Sequence, residues 1–225
     1  MSNKVSYLCS TIGRKQLVGL TGLGLAGFVL THMLGNLLIL VSPEAYNKYS
    51  HALITNPLLI VAEAALLLMF VGHIFLAIYL AIQNKIARPQ NYAVRSNGDK
   101  KTSWIMRTLW MQGLLILVFL ILHLITFKYG THYTVTYGGV EMRDLHKLIV
   151  EVFHNDVYVA WYLVALLILG FHLSHGVKSS IQTFGIHNPR LQSCFKKISW
   201  GYAILVTLGF VVQPLYVYFL YQGAN

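Results

Sequence analysis

The chain has 225 residues, of which 56% are hydrophobic and only 11% charged, and its mean hydropathy is +0.59. A soluble domain carries about a quarter charged residues, so this composition excludes an ordinary water-soluble protein. The net charge of +10 does not point to nucleic acid, because the basic residues flank apolar runs rather than forming one polar face.

A helix that crosses a bilayer needs about 20 apolar residues. Five runs nearly free of Lys, Arg, Asp and Glu meet that need: Gln16 to Pro43, Tyr49 to Asn84 with Glu63 inside it, Thr108 to Phe127, Val157 to Val177, and Ile198 to Asn225 with Pro214 near its polar end. None shows the two-residue alternation of a barrel strand, and lipid leaves no other way than a helix to satisfy the backbone. The expectation is an all-α membrane protein, one transmembrane domain over 1–225, with helices at about 15–41, 57–83, 105–128, 157–181 and 198–221. The first run is longer than a signal-peptide core and lacks an evident cleavage site, so it is read as a retained helix.

Thirteen of the seventeen Lys and Arg fall in the N-terminal segment (Lys4, Arg14, Lys15), the second connection (Lys85, Arg88, Arg95, Lys100, Lys101, Arg107) and the fourth (Lys178, Arg190, Lys196, Lys197). Lys48, Lys128, Arg143 and Lys147 lie on the other side. The positive-inside rule then places the N-terminus in the cytoplasm and the C-terminus outside. Cys9 and Cys194 would both sit on the reducing side. The second connection, with Pro89, Asn91, Asn97, Gly98 and Asp99, reads as a loop. In the third, Leu145, Leu148, Ile149, Val152 and Phe153 form one apolar stripe, so a short helix at about 143–154 is expected on the outer membrane surface.

Histidines carry the chemistry. His32, His73, His123, and His172 with His175 lie on the first four spans, and the fifth has none. Polar groups at membrane depth are costly and tend to be functional. Depth sorts them. His32 lies 17 residues after Lys15 and His123 lies 16 after Arg107, both ascending from the cytoplasm. Descending from outside, His73 lies 16 residues after Pro57 and His172 lies 16 after Asp156. At about 1.5 Å per residue, each pair shares a level, one near the outside and one near the inside. Two imidazoles at one level on different helices are what a six-coordinate haem iron requires. The expectation is therefore an outer haem on His32 and His123 and an inner haem on His73 and His172. The chain has no C-x-x-C-H motif, so both would be b-type. Zinc fits poorly, since it wants three or four ligands together.

His175 lies one turn from His172 and is the alternative ligand; it could instead bond a haem propionate or a quinone. Arg14, Lys15 and Lys178 could pair with propionates or simply flank the membrane. Gly27, Thr31 and Gly35, Gly72, and Gly170 with Ser174 could leave room for a flat macrocycle or serve helix packing. Glu63 is the one acidic residue inside a span, and desolvation there should raise its pKa. That would suit proton transfer at a quinone, with a structural glutamic acid as the other reading. His51, His132, His146, His154 and His187 are expected at the solvated surface.

Several segments resemble the di-haem cytochrome b subunit of succinate:quinone oxidoreductases, the succinate dehydrogenases and fumarate reductases with one large membrane anchor. They are Gly13-Arg14-Lys15, Thr31-His32-Met33-Leu34-Gly35-Asn36 leading to Ala45-Tyr46-Asn47, and Phe171-His172-Leu173-Ser174-His175-Gly176 followed by Asn188-Pro189-Arg190. The resemblance covers roughly residues 11 to 221. It implies four axial histidines on the first four helices, matching His32, His73, His123 and His172, and the same pairing. It also implies a flavoprotein subunit with FAD, an iron-sulfur subunit on the cytoplasmic face, a quinone substrate that is often menaquinone, and a place in the bacterial cytoplasmic membrane. Some members carry an acidic residue within the fourth helix, but Val157 to Val177 has none. Two other functions fit five spans with histidines: the cytochrome b subunit of a hydrogenase or formate dehydrogenase, and a transporter without redox chemistry.

Overall fold

The computed structural model describes residue 7 and residues 10–87, 104–186 and 189–221. The expected second loop, together with Lys4, Cys9, Arg88, Arg95, Lys100, Lys101, His187 and Asn188, lies outside the described residues. Five helices are long and apolar enough to cross a membrane, over Thr11–Leu40, Leu59–Ile86, Leu109–Lys128, Asp156–Thr183 and Gln192–Phe219. The architecture is that of an all-α membrane protein with one small hairpin added.

Helix α1 (Thr11–Asn36) starts where the Ser10 hydroxyl accepts from Gly13 N at 3.0 Å, and a 3₁₀ turn, Leu37–Leu40, prolongs it. Next comes α2 (Pro43–Ile54), with Ser42 as N-cap and Pro43 in its first turn, the arrangement expected where the missing proline N–H costs nothing. Sequence reading left this helix as connection. Helix α3 (Leu59–Ile86) follows, then the short α4 (Trp104–Arg107) and α5 (Leu109–His123), which runs on through a π-helical turn, Leu124–Lys128. The last three helices are α6 (Leu145–Phe153), α7 (Asp156–Thr183) and α8 (Gln192–Phe219).

Between α5 and α6 stand β1 (Thr134–Tyr137) and β2 (Val140–Arg143), antiparallel with Thr134 opposite Arg143 and Tyr137 opposite Val140. Gly138 and Gly139 have φ of 59° and 80°. A two-residue hairpin loop needs both central residues in that left-handed region, which glycine enters without steric cost. The Gly-Gly pair between Tyr137 and Val140, in a run of strand-favouring residues, was the available signal, and reading this connection as helix and loop alone missed it.

The α6 expectation also needs correction in its surroundings. Asp144 caps the helix by accepting from Lys147 N at 3.0 Å. Its apolar face does not lie open for lipid: Ile149 and Phe153 are buried with Ile39, Tyr46, Val159, Tyr162 and Val217 in the main core cluster. Lateral burial against the bundle satisfies an amphipathic stripe as well as a membrane surface does. This end of the bundle, closed by α2, the hairpin and α6, is called the capped end; the other, flanked by Arg14, Lys15, Lys178, Lys196 and Lys197, the basic end.

In the bundle, α7 packs along α8, α1 along α3 and α7, and α5 along α7. A smaller core of Ala26, Leu173, Ala203 and Val206 joins α1, α7 and α8. In the most apolar stretch of α3 only 6% of residues are buried, against 33% in α7. The first is peripheral and the second central, so α3 leans on α1 and α5 leans on α7, with scant packing from α3 to α7 or from α1 to α5.

Candidate functional site

Across those two thinly packed gaps the histidines face each other. The rings of His32 on α1 and His123 on α5 have centroids 5.9 Å apart, and those of His73 on α3 and His172 on α7 are 6.4 Å apart. The planes of each pair are nearly perpendicular, at 88° and 74°. A nitrogen–metal bond of about 2 Å on each side plus a ring radius of roughly 1 Å puts two axial imidazole centroids about 6 Å apart. Both pairs meet that distance. Among the described residues no three or more His, Cys, Asp or Glu group as a metal cluster would; the facing imidazoles stand as two separate pairs.

The levels can be read on α1. His73 lies against Thr21 and Gly22: a Cβ on Gly22 would come 3.1 Å from His73 Cε1. His32 is ten residues further along, so the two pairs stand about 15 Å apart along the helix axis.

Each pair is oriented by groups that sequence reading missed. His123 Nδ1 is 3.1 Å from the Tyr162 hydroxyl, and its ring packs against Phe119 and Phe127. His73 Nδ1 is 3.3 Å from Thr21 Oγ1. His32 stacks on Phe28, and the Asn36 amide lies 3.4 Å from its Nδ1 while donating to its backbone carbonyl at 2.8 Å. For His123 and His73, with Nδ1 engaged, Nε2 is left to bind, which is how outer contacts fix a ligating histidine; at His32 the Asn36 amide lies nearly as close to Nε2, at 3.5 Å, and makes no such choice. His172 Nδ1 is buried without a partner. Counting could have found two of these groups: Tyr162 precedes His172 by ten residues and Thr21 precedes His32 by eleven, each one pair-spacing away along its helix.

The ring facing His73 belongs to His172. His175, half-buried on the same helix, makes no ring contact with another described histidine. The Arg14 guanidinium lies over the Tyr79 ring, 4.3 Å from its centroid. Lys15 is exposed and lines a shallow cleft with Ser179, Gln182 and Thr183, while Lys178 is half-buried.

The small residues divide. A Cβ on Gly27 or Gly72 would meet nothing within 4 Å, so both border open space. On Gly35 it would collide with Tyr49 and on Gly170 with Thr207. Those two serve close helix approach, not room for a cofactor. Ser174 is buried and donates to Phe171 O at 2.8 Å, and the Thr31 hydroxyl likewise donates to the helix carbonyl of Phe28.

Glu63 is not the isolated, desolvated carboxylate expected from the sequence. Lys128 Nζ lies 2.5 Å from its Oε1, and the two side chains are 42% and 41% exposed. The compensating cation comes from the end of another span, where a local reading of α3 could not see it.

His146 departs from the expected solvated surface as well. It is 4% exposed, set between the rings of Tyr46 and Tyr221, and its Nε2 is buried without a partner. Burial lowers its pKa from the ordinary histidine value, against a smaller opposing pull from the Asp144 carboxylate. Asn47, fully buried, ties this region together by donating to Asp144 at 2.8 Å and accepting from His146 N at 3.0 Å. Burial raises the pKa of the neighbouring Tyr46 phenol, which donates to Asn36 at 2.8 Å. His51 and His132 lie at the surface of the capped end, and His154 is exposed with Nδ1 2.7 Å from Val150 O.

Comparison of the chain with protein-family models, curated proteins and solved structures finds no match.

Proposed function

We propose that this chain is the membrane anchor and electron-transfer subunit of a succinate:quinone oxidoreductase, holding two b-type haems between its helices. The observation that carries the reading is the pair of facing imidazoles at each of two levels, at the separation an iron between them would need. His32 and His123 would hold the haem of the capped end, and His73 and His172 that of the basic end. Bound there, the haems would supply one-electron transfer.

The chain's own residues do the rest. Tyr162 and Thr21 hold the imidazoles of His123 and His73 in orientation. Gly27 and Gly72 leave space beside the ligands. The basic end, with Arg14, Lys15 and Lys178, would face the cytoplasm and receive an iron-sulfur subunit, with an FAD-bearing flavoprotein beyond it. The capped end would face outward in a bacterial cytoplasmic membrane, where a quinone, menaquinone by the resemblance, exchanges electrons and Glu63 helps to move protons.

Isolation of the native complex tests this, with haem content and succinate-dependent quinone reduction measured on one sample. Two haems per chain, a copurifying flavoprotein and quinone turnover are expected. A nickel or molybdenum partner would assign the chain to a hydrogenase or formate dehydrogenase, and absence of haem absorption would remove the redox reading.

A further inference from the structure

At the capped end, α2 and the hairpin enclose a cleft of about 440 Å³, within the range of roughly 300–1,000 Å³ typical of small-molecule sites. Its polar wall is His51, Thr55, His132, Thr134, Glu141 and Arg143, and Ile54 and Met142 complete it. None of these residues belongs to the histidine pairs.

Arg143 is the unusual member. Its Nη1 and Nη2 donate to the carbonyls of Lys128 and Thr131 at 3.4 and 3.3 Å, while its Nε is buried without a partner. It forms no ion pair with a described carboxylate. Partial burial lowers the guanidinium below its ordinary pKa, as expected of a cation without a compensating anion. A planar guanidinium with free donor capacity is suited to phosphate.

Position narrows the ligand further. Lys128, whose carbonyl Arg143 holds, ends the third span, and Thr55 stands just before the second begins at Leu59. The cleft is therefore at the depth of lipid headgroups. Beside it Leu53, Ile54, Leu58 and Ile60 are exposed, an apolar rim that acyl chains would cover. Glu141, exposed on β2, puts a carboxylate in the same wall. A purely anionic headgroup would meet repulsion there, whereas a headgroup carrying both phosphate and ammonium would find a partner for each.

We propose that this cleft binds the headgroup of an aminoethyl phospholipid, its phosphate on Arg143 and the two imidazoles and its ammonium on Glu141. The site does not depend on the haem reading.

The test uses the full-length chain in detergent, stripped of lipid and titrated with defined phospholipids under native mass spectrometry. Phosphatidylethanolamine should bind about tenfold more tightly than phosphatidylglycerol, the size of one charge-assisted hydrogen bond. Phosphatidylcholine, whose trimethylammonium cannot donate, should lose a similar factor. Glu141→Gln should abolish the preference over phosphatidylglycerol, and His132→Ala should weaken all three lipids. Both positions are exposed, so these variants keep the fold; Arg143→Ala would also release two loop carbonyls and is less informative. Equal affinity for the three lipids would overturn the proposal, as would an unchanged preference in Glu141→Gln. So would inorganic phosphate or glycerophosphoethanolamine competing at the lipid's own concentration, since acyl chains would then contribute nothing.

Discussion

The two histidine pairs span similar gaps in very different surroundings. At the capped end His123 is set among Phe119, Phe127 and Tyr162, and that aromatic group continues into Phe153 and the main core cluster. At the basic end His73 has a threonine hydroxyl and a glycine beside it, and His172 has a buried nitrogen with nothing to bond. The first pair is oriented by packing already present in the protein. The second has less of the protein's own packing to orient it. On the proposed reading, one ligand frame would be built by the core and the other completed by its occupant.

Removing an imidazole is the largest disturbance. His32→Ala or His123→Ala should each lose the haem of the capped end, and His73→Ala or His172→Ala that of the basic end, while His175→Ala keeps both. Haem content per chain, measured with pyridine, should fall from two to one in the first four variants. Two haems remaining in His73→Ala would dissolve the comparison.

The difference in packing should appear next. Tyr162→Ala would open a cavity in the aromatic group and cost about 3–5 kcal/mol, the usual range for a large buried aromatic. Thr21→Ala removes the contact with His73 and the hydroxyl's local bonds to the Leu17 and Val18 carbonyls of its own helix, leaves no large cavity, and should cost about 1 kcal/mol. Denaturant unfolding in detergent reads both, and equal losses would contradict the contrast between the two ends.

A pH dependence sharpens the picture of the capped end. His146 has a lowered folded pKa, so below the unfolded value of about 6.5 the unfolded chain binds the proton first. Stability should therefore fall as pH drops through that value toward the folded pKa, and level off beneath it. Thermal unfolding between pH 8 and pH 5 should show this slope, and His146→Gln should flatten it.

The smallest effect is expected at Glu63. Its pair with Lys128 is partly exposed, and such pairs contribute about 0–1 kcal/mol. Glu63→Gln should leave stability and both haem spectra almost unchanged while slowing quinone turnover. Turnover at the unaltered rate would remove Glu63 from the proton path.

Much of this arrangement was legible from counting. Runs nearly free of charge located the five spans, and distances from the flanking Lys15, Arg107, Pro57 and Asp156 put His32 level with His123 and His73 level with His172, the neighbours seen in the structure. What the sequence concealed depends on contacts between distant segments. Lys128 reaches Glu63 across 65 residues, and Asn47 reaches Asp144 across 97. His146 shares the stripe of Ile149 and Phe153, so its inward face was readable, but its enclosure by Tyr46 and Tyr221 was not. The hairpin belongs to neither class: its Gly-Gly turn was visible and went unread.

The order of the helices also sets an order of events. His32 and His123 are 91 residues apart, and His73 and His172 are 99 apart. Neither pair can close while the ribosome is still making the first two spans. A nascent chain ending after α5 still lacks α7, on which α5 packs and which carries both Tyr162 and His172, so on the proposed reading neither ligand frame would be complete before α7 has been made.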